Sequence, residues 1–143
     1  MPEPEPAFEW SDAWILCALL AAVDHENPVS LAGLIAFADG INKAMVTRSE
    51  LEEGIGRLVA AGYVRVAGAG FELTPKALAL KSLTGGPFVE DIGGAIGARE
   101  WDPDSELPST TAEVYVTREA FRRAEKQYLR RDFWQKFNDK KRS

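Results

Sequence analysis

TRSELEEGIGRLVAAGYVRVAGAGFELTP, running from Thr47 to Pro75, is the stretch that decides the fold. Thr47 and Glu50 have the spacing of a capping box, in which the Thr hydroxyl accepts from the Glu amide and the Glu carboxylate reaches back, so a helix is predicted to start there. Leu51, Ile55, Leu58 and Val59 form one apolar stripe along it. Gly62 sits where a left-handed residue would stop it. Tyr63–Val66 and Phe71–Leu73 are short β-type runs around Ala67-Gly-Ala-Gly70, whose glycines permit the positive φ of a tight hairpin. Thr74-Pro75 opens the next helix, with Thr as N-cap and Pro at the first helical position, and carries it through Leu78, Leu80 and Leu83.

Upstream, Ser11 is the expected N-cap of a first helix, with Asp12 at its positive end and an almost wholly apolar run from Trp14 to Val23. Such a helix belongs at the centre of the core. Asn27-Pro28 breaks it. A second helix is predicted after Ser30, with Leu31, Leu34, Ile35 and Ala38 at helical spacing, ended by Asp39-Gly40 and followed by a connector from Ile41 to Val46. Downstream, Thr84 to Thr111 holds five glycines and three prolines without a sustained period and reads as an irregular connection. Val114–Val116 reads as a short strand. A final helix begins at its N-cap Thr117, with Glu119 in the first turn and basic residues later. The division expected is a mobile leader over 1–9, a core over 10–83, a connection over 84–116 and a basic C-terminal helix over 117–143.

Helix, helix, capped helix, glycine-tipped hairpin and a Leu-Thr-Pro helix start resemble, in that order, a winged helix-turn-helix domain over Trp10 to Leu83. The third helix, its Gly-Tyr-Val exit and the following wing are similar to those of bacterial winged-helix regulators. The resemblance implies an α+β, mainly α fold with a β-hairpin wing and an added long C-terminal helix. It also implies a non-enzymatic protein that binds duplex DNA, with the third helix in a major groove and the hairpin on the flanking backbone, and a dimer through the terminal helices, with the first helix as a further contact, is expected. On that reading Arg48, Ser49 and Arg57 are base or phosphate contacts, and Lys43 and Arg65 are phosphate contacts.

Charge opposes that reading on one helix and supports it on another. Glu52 and Glu53 stand near the centre of the supposed reading face, where phosphates would repel them. The alternative expectation is therefore a winged-helix module that holds protein partners through Glu52, Glu53 and the apolar end of the last helix, Leu129, Phe133, Trp134 and Phe137. The chain carries 7 basic and 18 acidic residues before Thr117 and 10 basic and 4 acidic from there on, so a net −11 body is joined to a +6 tail. In the last helix Ala120, Phe121, Ala124 and Tyr128 fall on one side, and Leu129, Phe133 and Phe137 on another. Either the first half packs on its own body while the second projects to another chain, or a bend lays both on the same body.

The remaining features exclude whole classes. With Cys17 the only cysteine and His25 the only histidine, neither a disulfide framework nor a cysteine-rich zinc site can form. Cys17, inside the apolar first helix, reads as a buried thiol and not a nucleophile. His25 reads as a surface turn residue. Asp102-Pro-Asp-Ser-Glu106 lacks the glycine and distal glutamate of a calcium loop, and the Gly68–Gly70 and Gly93–Gly97 patterns lack phosphate-binding context. No catalytic constellation, metal or cofactor is expected. The longest apolar run, Ala13 to Val23, is too short to span a bilayer and the start lacks a basic signal region, so the expectation is a cytoplasmic protein without a membrane role.

Overall fold

The computed structural model describes residues 8–42, 46–84, 89–99 and 115–129. In chain order the elements are β1 (Phe8–Glu9), α1 (Trp10–Ala22), β2 (Val29–Ser30), α2 (Leu31–Asn42), α3 (Arg48–Ala60), β3 (Val64–Ala67), β4 (Gly70–Leu73), α4 (Pro75–Thr84), α5 (Val89–Ile96), β5 (Ala98–Arg99) and α6 (Arg118–Tyr128). This is a mainly helical α+β arrangement with a small antiparallel sheet in the order β2-β4-β3.

The apolar run makes α1 the centre of the molecule. Ala13 through Leu20 are all buried, and α1 packs against α2, α3, α4 and α5. Its N-cap is Glu9, not Ser11, because the Asp12 carboxylate reaches back to the Glu9 amide at 2.8 Å. Phe8 and Glu9, expected in the leader, are therefore part of the fold. Phe8 is buried, meets the Tyr63 ring edge-on at 6.0 Å, and pairs in β1 with β5 in parallel.

Trp14 ties α1 to α2 by donating its indole N–H to the Ala38 carbonyl at 2.8 Å. At the other end of α2, Ser30 accepts from the Gly33 amide at 3.0 Å, while the Glu26 carboxylate accepts from the Ser30 amide at 2.7 Å. The helix runs past Asp39-Gly40 to Asn42. Gly40 does not take a left-handed φ, so it costs the helix only about 1 kcal/mol, less than packing against α1 and α6 returns.

Local chemistry sets both ends of α3. The Glu50 amide donates to Thr47 Oγ1 at 3.2 Å and the Thr47 amide to Glu50 Oε1 at 3.0 Å. Gly62 has φ 84°, and the amides of Tyr63 and Gly62 close on the carbonyls of Leu58 and Val59 in a Schellman motif. The hairpin turns at Gly68, φ 61°. Its strand β4 also pairs with β2, Val29 opposite Phe71 and Ser30 opposite Gly70, a strand that periodicity did not suggest.

Two further corrections concern the stretch expected to be irregular. It contains α5, which buries Val89, Ile92 and Ile96 against α1 despite Gly93 and Gly94, and β5, which pairs with β1. Tyr115 and Val116 form a bend and not a strand. Thr117 does cap α6, accepting from the Ala120 amide at 3.0 Å, and α6 lies on α2.

Candidate functional site

The structure sorts the sequence-predicted residues into a buried pair, a clamp, and an outward row of cations. Arg57 is the clearest correction. It is 3% exposed, and its guanidinium engages the fully buried Asp12 carboxylate in a bidentate pair, Nε to Oδ2 at 2.7 Å and Nη2 to Oδ1 at 3.0 Å. Glu9 Oε2 lies 3.8 Å from Nη2. Burial alone would lower the Arg57 pKa, but the Asp12 hydrogen bonds and charge, with Glu9 and Glu53, hold it above its ordinary value. A side chain so placed joins α3 to α1 and has no face for DNA.

Gly54 lets α1 approach α3 closely beside this pair. A Cβ there would stand 2.5 Å from Ile15 Cδ1 and 3.1 Å from Asp12 Oδ1. Every residue from Gly54 to Leu58 is buried, so the second half of α3 presents no reading face, and the fully exposed positions on the helix are Ser49, Glu53 and Ala60. Gly54, one turn before Arg57, was the sequence signal for this contact, and Asp12 at the head of an apolar helix was the other half of it.

The first half of α3 holds a segment of its own chain. Glu52 accepts from the backbone amides of Tyr115, at 2.8 Å, and Val116, while Arg48 Nη1 donates to the Val116 carbonyl at 2.9 Å. Val116 is fully buried and Tyr115 partly so. Neither Arg48 nor Glu52 is therefore open to solvent as expected, and Glu52 is a hydrogen-bond acceptor for backbone before it is a repulsive charge. Nothing in sequence spacing joins residue 52 to residues 115 and 116.

On α6 the packed face is Phe121, Ala124 and Tyr128, whose hydroxyl donates to the Asp39 carboxylate. Leu129 lies off that face and is 68% exposed. Ala120, expected on the packed side, is exposed. Arg118, Arg122 and Lys126, four residues apart, are exposed in a row, and among the described residues none of the three is in an ion pair. Arg123 is also exposed and pairs with Glu119 at 2.9 Å. Four residues of helix rise about 6 Å, so the row is about 12 Å long. On the β3–β4 hairpin, Arg65 is exposed and stands 3.6 Å from Glu72 across the strands, a surface pair of little energetic weight. Lys43, Phe133, Trp134 and Phe137 lie outside the described residues.

His25 stacks on Phe37 with ring centroids 5.5 Å apart. Among the described residues no group of His, Cys, Asp and Glu is placed to hold a metal, and no helix is long and apolar enough to cross a membrane. Cys17 is fully buried, and desolvation, with the Glu90 charge adding, pushes its thiol from an ordinary value near 9 up to about 12. A raised thiol pKa in the folded state favours folding fully below pH 9, and that contribution is lost as pH rises from 9 towards 12, where the unfolded chain gains thiolate. Urea midpoints at pH 8 and pH 11 should therefore converge more for Cys17→Ala than for the wild type, and Ellman's reagent should react with Cys17 only as fast as the protein unfolds. Fast reaction in the folded state would contradict the burial.

No family model, no curated protein and no solved structure gives a significant match to this chain.

Proposed function

We propose that the protein is a non-enzymatic regulatory protein of winged helix-turn-helix type that binds duplex DNA as a dimer, contacting phosphates through the outward cations of α6 and through Arg65 of the wing. The winged-helix reading is supported by the element order and by β2 joining the hairpin in the sheet order β2-β4-β3. The observation that carries the DNA reading is the exposed row Arg118, Arg122 and Lys126, without ion-pair partners among the described residues in a chain of net charge −5. α6 docks by its apolar side and leaves these charges directed away from the body. Base contacts through Arg57 are not part of the proposal, and Ser49 is the exposed α3 residue able to meet a phosphate. Three phosphates neutralised by the row alone give a log–log salt slope of about −3.

Anisotropy of a labelled random-sequence duplex, titrated at several salt concentrations, tests this reading. Binding at low salt that weakens with a slope of about −3 or steeper is expected. Salt-independent binding, or none at low salt, would remove the DNA reading.

The second reading, a protein-interaction module, is favoured by the exposure of Glu53 and of Leu129, the latter at 68%. Under it, Glu53→Gln and Leu129→Ser weaken capture of a basic partner and leave DNA irrelevant.

A further inference from the structure

Tyr115–Thr117 is held against α3 by backbone hydrogen bonds to two α3 side chains and by Val116, whose side chain joins the core. Glu52 takes the two amides of Tyr115 and Val116, Arg48 takes the Val116 carbonyl, and Thr117 at once begins α6. Only Val116 adds a wholly buried side chain. This closure differs physically from the joint between α3 and α1. There, separating Asp12 from Arg57 would strand two buried charges. Here both clamping side chains are half-buried, so water replaces the backbone partners of the Glu52 carboxylate and the Arg48 guanidinium when the segment lifts. Lifting it takes one side chain, Val116, out of the core cluster that also holds Leu51, Ile55 and Leu58.

The geometry points to Tyr115–Thr117 acting as a displaceable strap that closes the outer side of α3 to a partner, with Glu52 and Arg48 as its catch. Displacement frees the Arg48 guanidinium beside the exposed Ser49, so the two α3 residues able to contact a phosphate become available together only in the open form. The strap stands on its own geometry, and only the identity of the partner as DNA rests on the function proposed above.

Backbone hydrogen exchange on the full chain tests the strap. The Tyr115 and Val116 amides should exchange through local opening, at least about 100-fold faster than the α1 amides of Leu19 and Leu20. Glu52→Ala should speed them a further 10- to 100-fold, roughly the range set by charge-assisted bonds, with the α1 amides unchanged. Glu52→Gln, which keeps one acceptor oxygen, should fall between. Exchange of Tyr115 and Val116 in step with α1, or no response to Glu52→Ala, would make the segment an integral part of the fold and overturn the proposal. Duplex affinity decides the partner separately. Glu52→Ala and Glu53→Ala remove the same charge, so a strap closing α3 to DNA requires the first to tighten binding several-fold more than the second. Equal gains with fast strap exchange would leave the strap standing and remove DNA as what it excludes.

Discussion

Replacing Arg57 by alanine is expected to cost about 3–5 kcal/mol of stability, the penalty for leaving one member of a buried pair behind. Asp12 is fully buried, and without Arg57 its carboxylate keeps only the Glu9 amide as a donor among the hydrogen bonds described. That single bond cannot replace two charge-assisted ones. Removing both charges is different, because an apolar pair of similar volume needs no partner. Asp12→Leu with Arg57→Met should therefore recover most of the loss. Urea denaturation of the wild type, both single variants and the double variant measures this directly, with a coupling between the two positions of roughly 3 kcal/mol. A fully stable Arg57→Ala that merely bound DNA less well would return Arg57 to the surface role that its sequence position suggested.

The second large effect is expected at Gly54. Glycine in a helix interior normally costs about 1 kcal/mol relative to alanine, so the propensity of α3 alone would favour substitution. The packing decides otherwise. Valine at 54 drives its Cβ to 2.5 Å from Ile15 Cδ1 and 3.1 Å from Asp12 Oδ1, and both neighbours are fully buried. Ile15 Cδ1 ends a flexible side chain, but one fully buried in the core, and Asp12 is held by Arg57. Either Ile15 leaves its rotamer or the helices separate, at a cost of about 1–3 kcal/mol, the usual overpacking penalty. The same substitution should loosen the ion pair, so Gly54→Val and Arg57→Ala should be less than additive. Additivity of the two within about 0.5 kcal/mol would mean that Gly54 does not set the approach of α1 to α3.

The parts of the fold legible in the sequence are those set within a few residues. Thr47 with Glu50, Gly62, Thr74-Pro75 and Thr117 mark helix ends because each supplies a bond or a backbone conformation needed at that position. The apolar run of α1 likewise reads directly as a buried helix. The rest depends on distant partners. α5 contains Gly93 and Gly94 and forms because Val89, Ile92 and Ile96 find α1. β1 and β5 are two residues each and exist only as a pair. Gly40 was read as a stop, yet packing on both sides keeps α2 helical to Asn42.

The candidate site divides in the same way. The sequence showed basic residues and a Phe121–Tyr128 apolar side on the last helix, and the structure adds that Phe121 and Tyr128 turn inward while Arg118, Arg122 and Lys126 turn out. The apolar side that a membrane-surface helix would need is thereby spent on α2. Arg57 and Glu52 were misread because one helix wheel carries no information about α1 or about residues 115 and 116. Charge on an element was legible, and the partner of each charge was not.

Phosphate contact by the outward row of α6 is decided by duplex titration of an Arg118→Ala/Arg122→Ala/Lys126→Ala variant beside the wild type, with circular dichroism to confirm that both are folded. These side chains are exposed and without ion-pair partners among the described residues, so stability should change by less than about 0.5 kcal/mol. Affinity at low salt should fall by at least about 10-fold and the salt slope should shrink by about 3, one for each lost phosphate contact. An unchanged affinity and slope would contradict that contact, and the outward row of α6 would then be a solvated face.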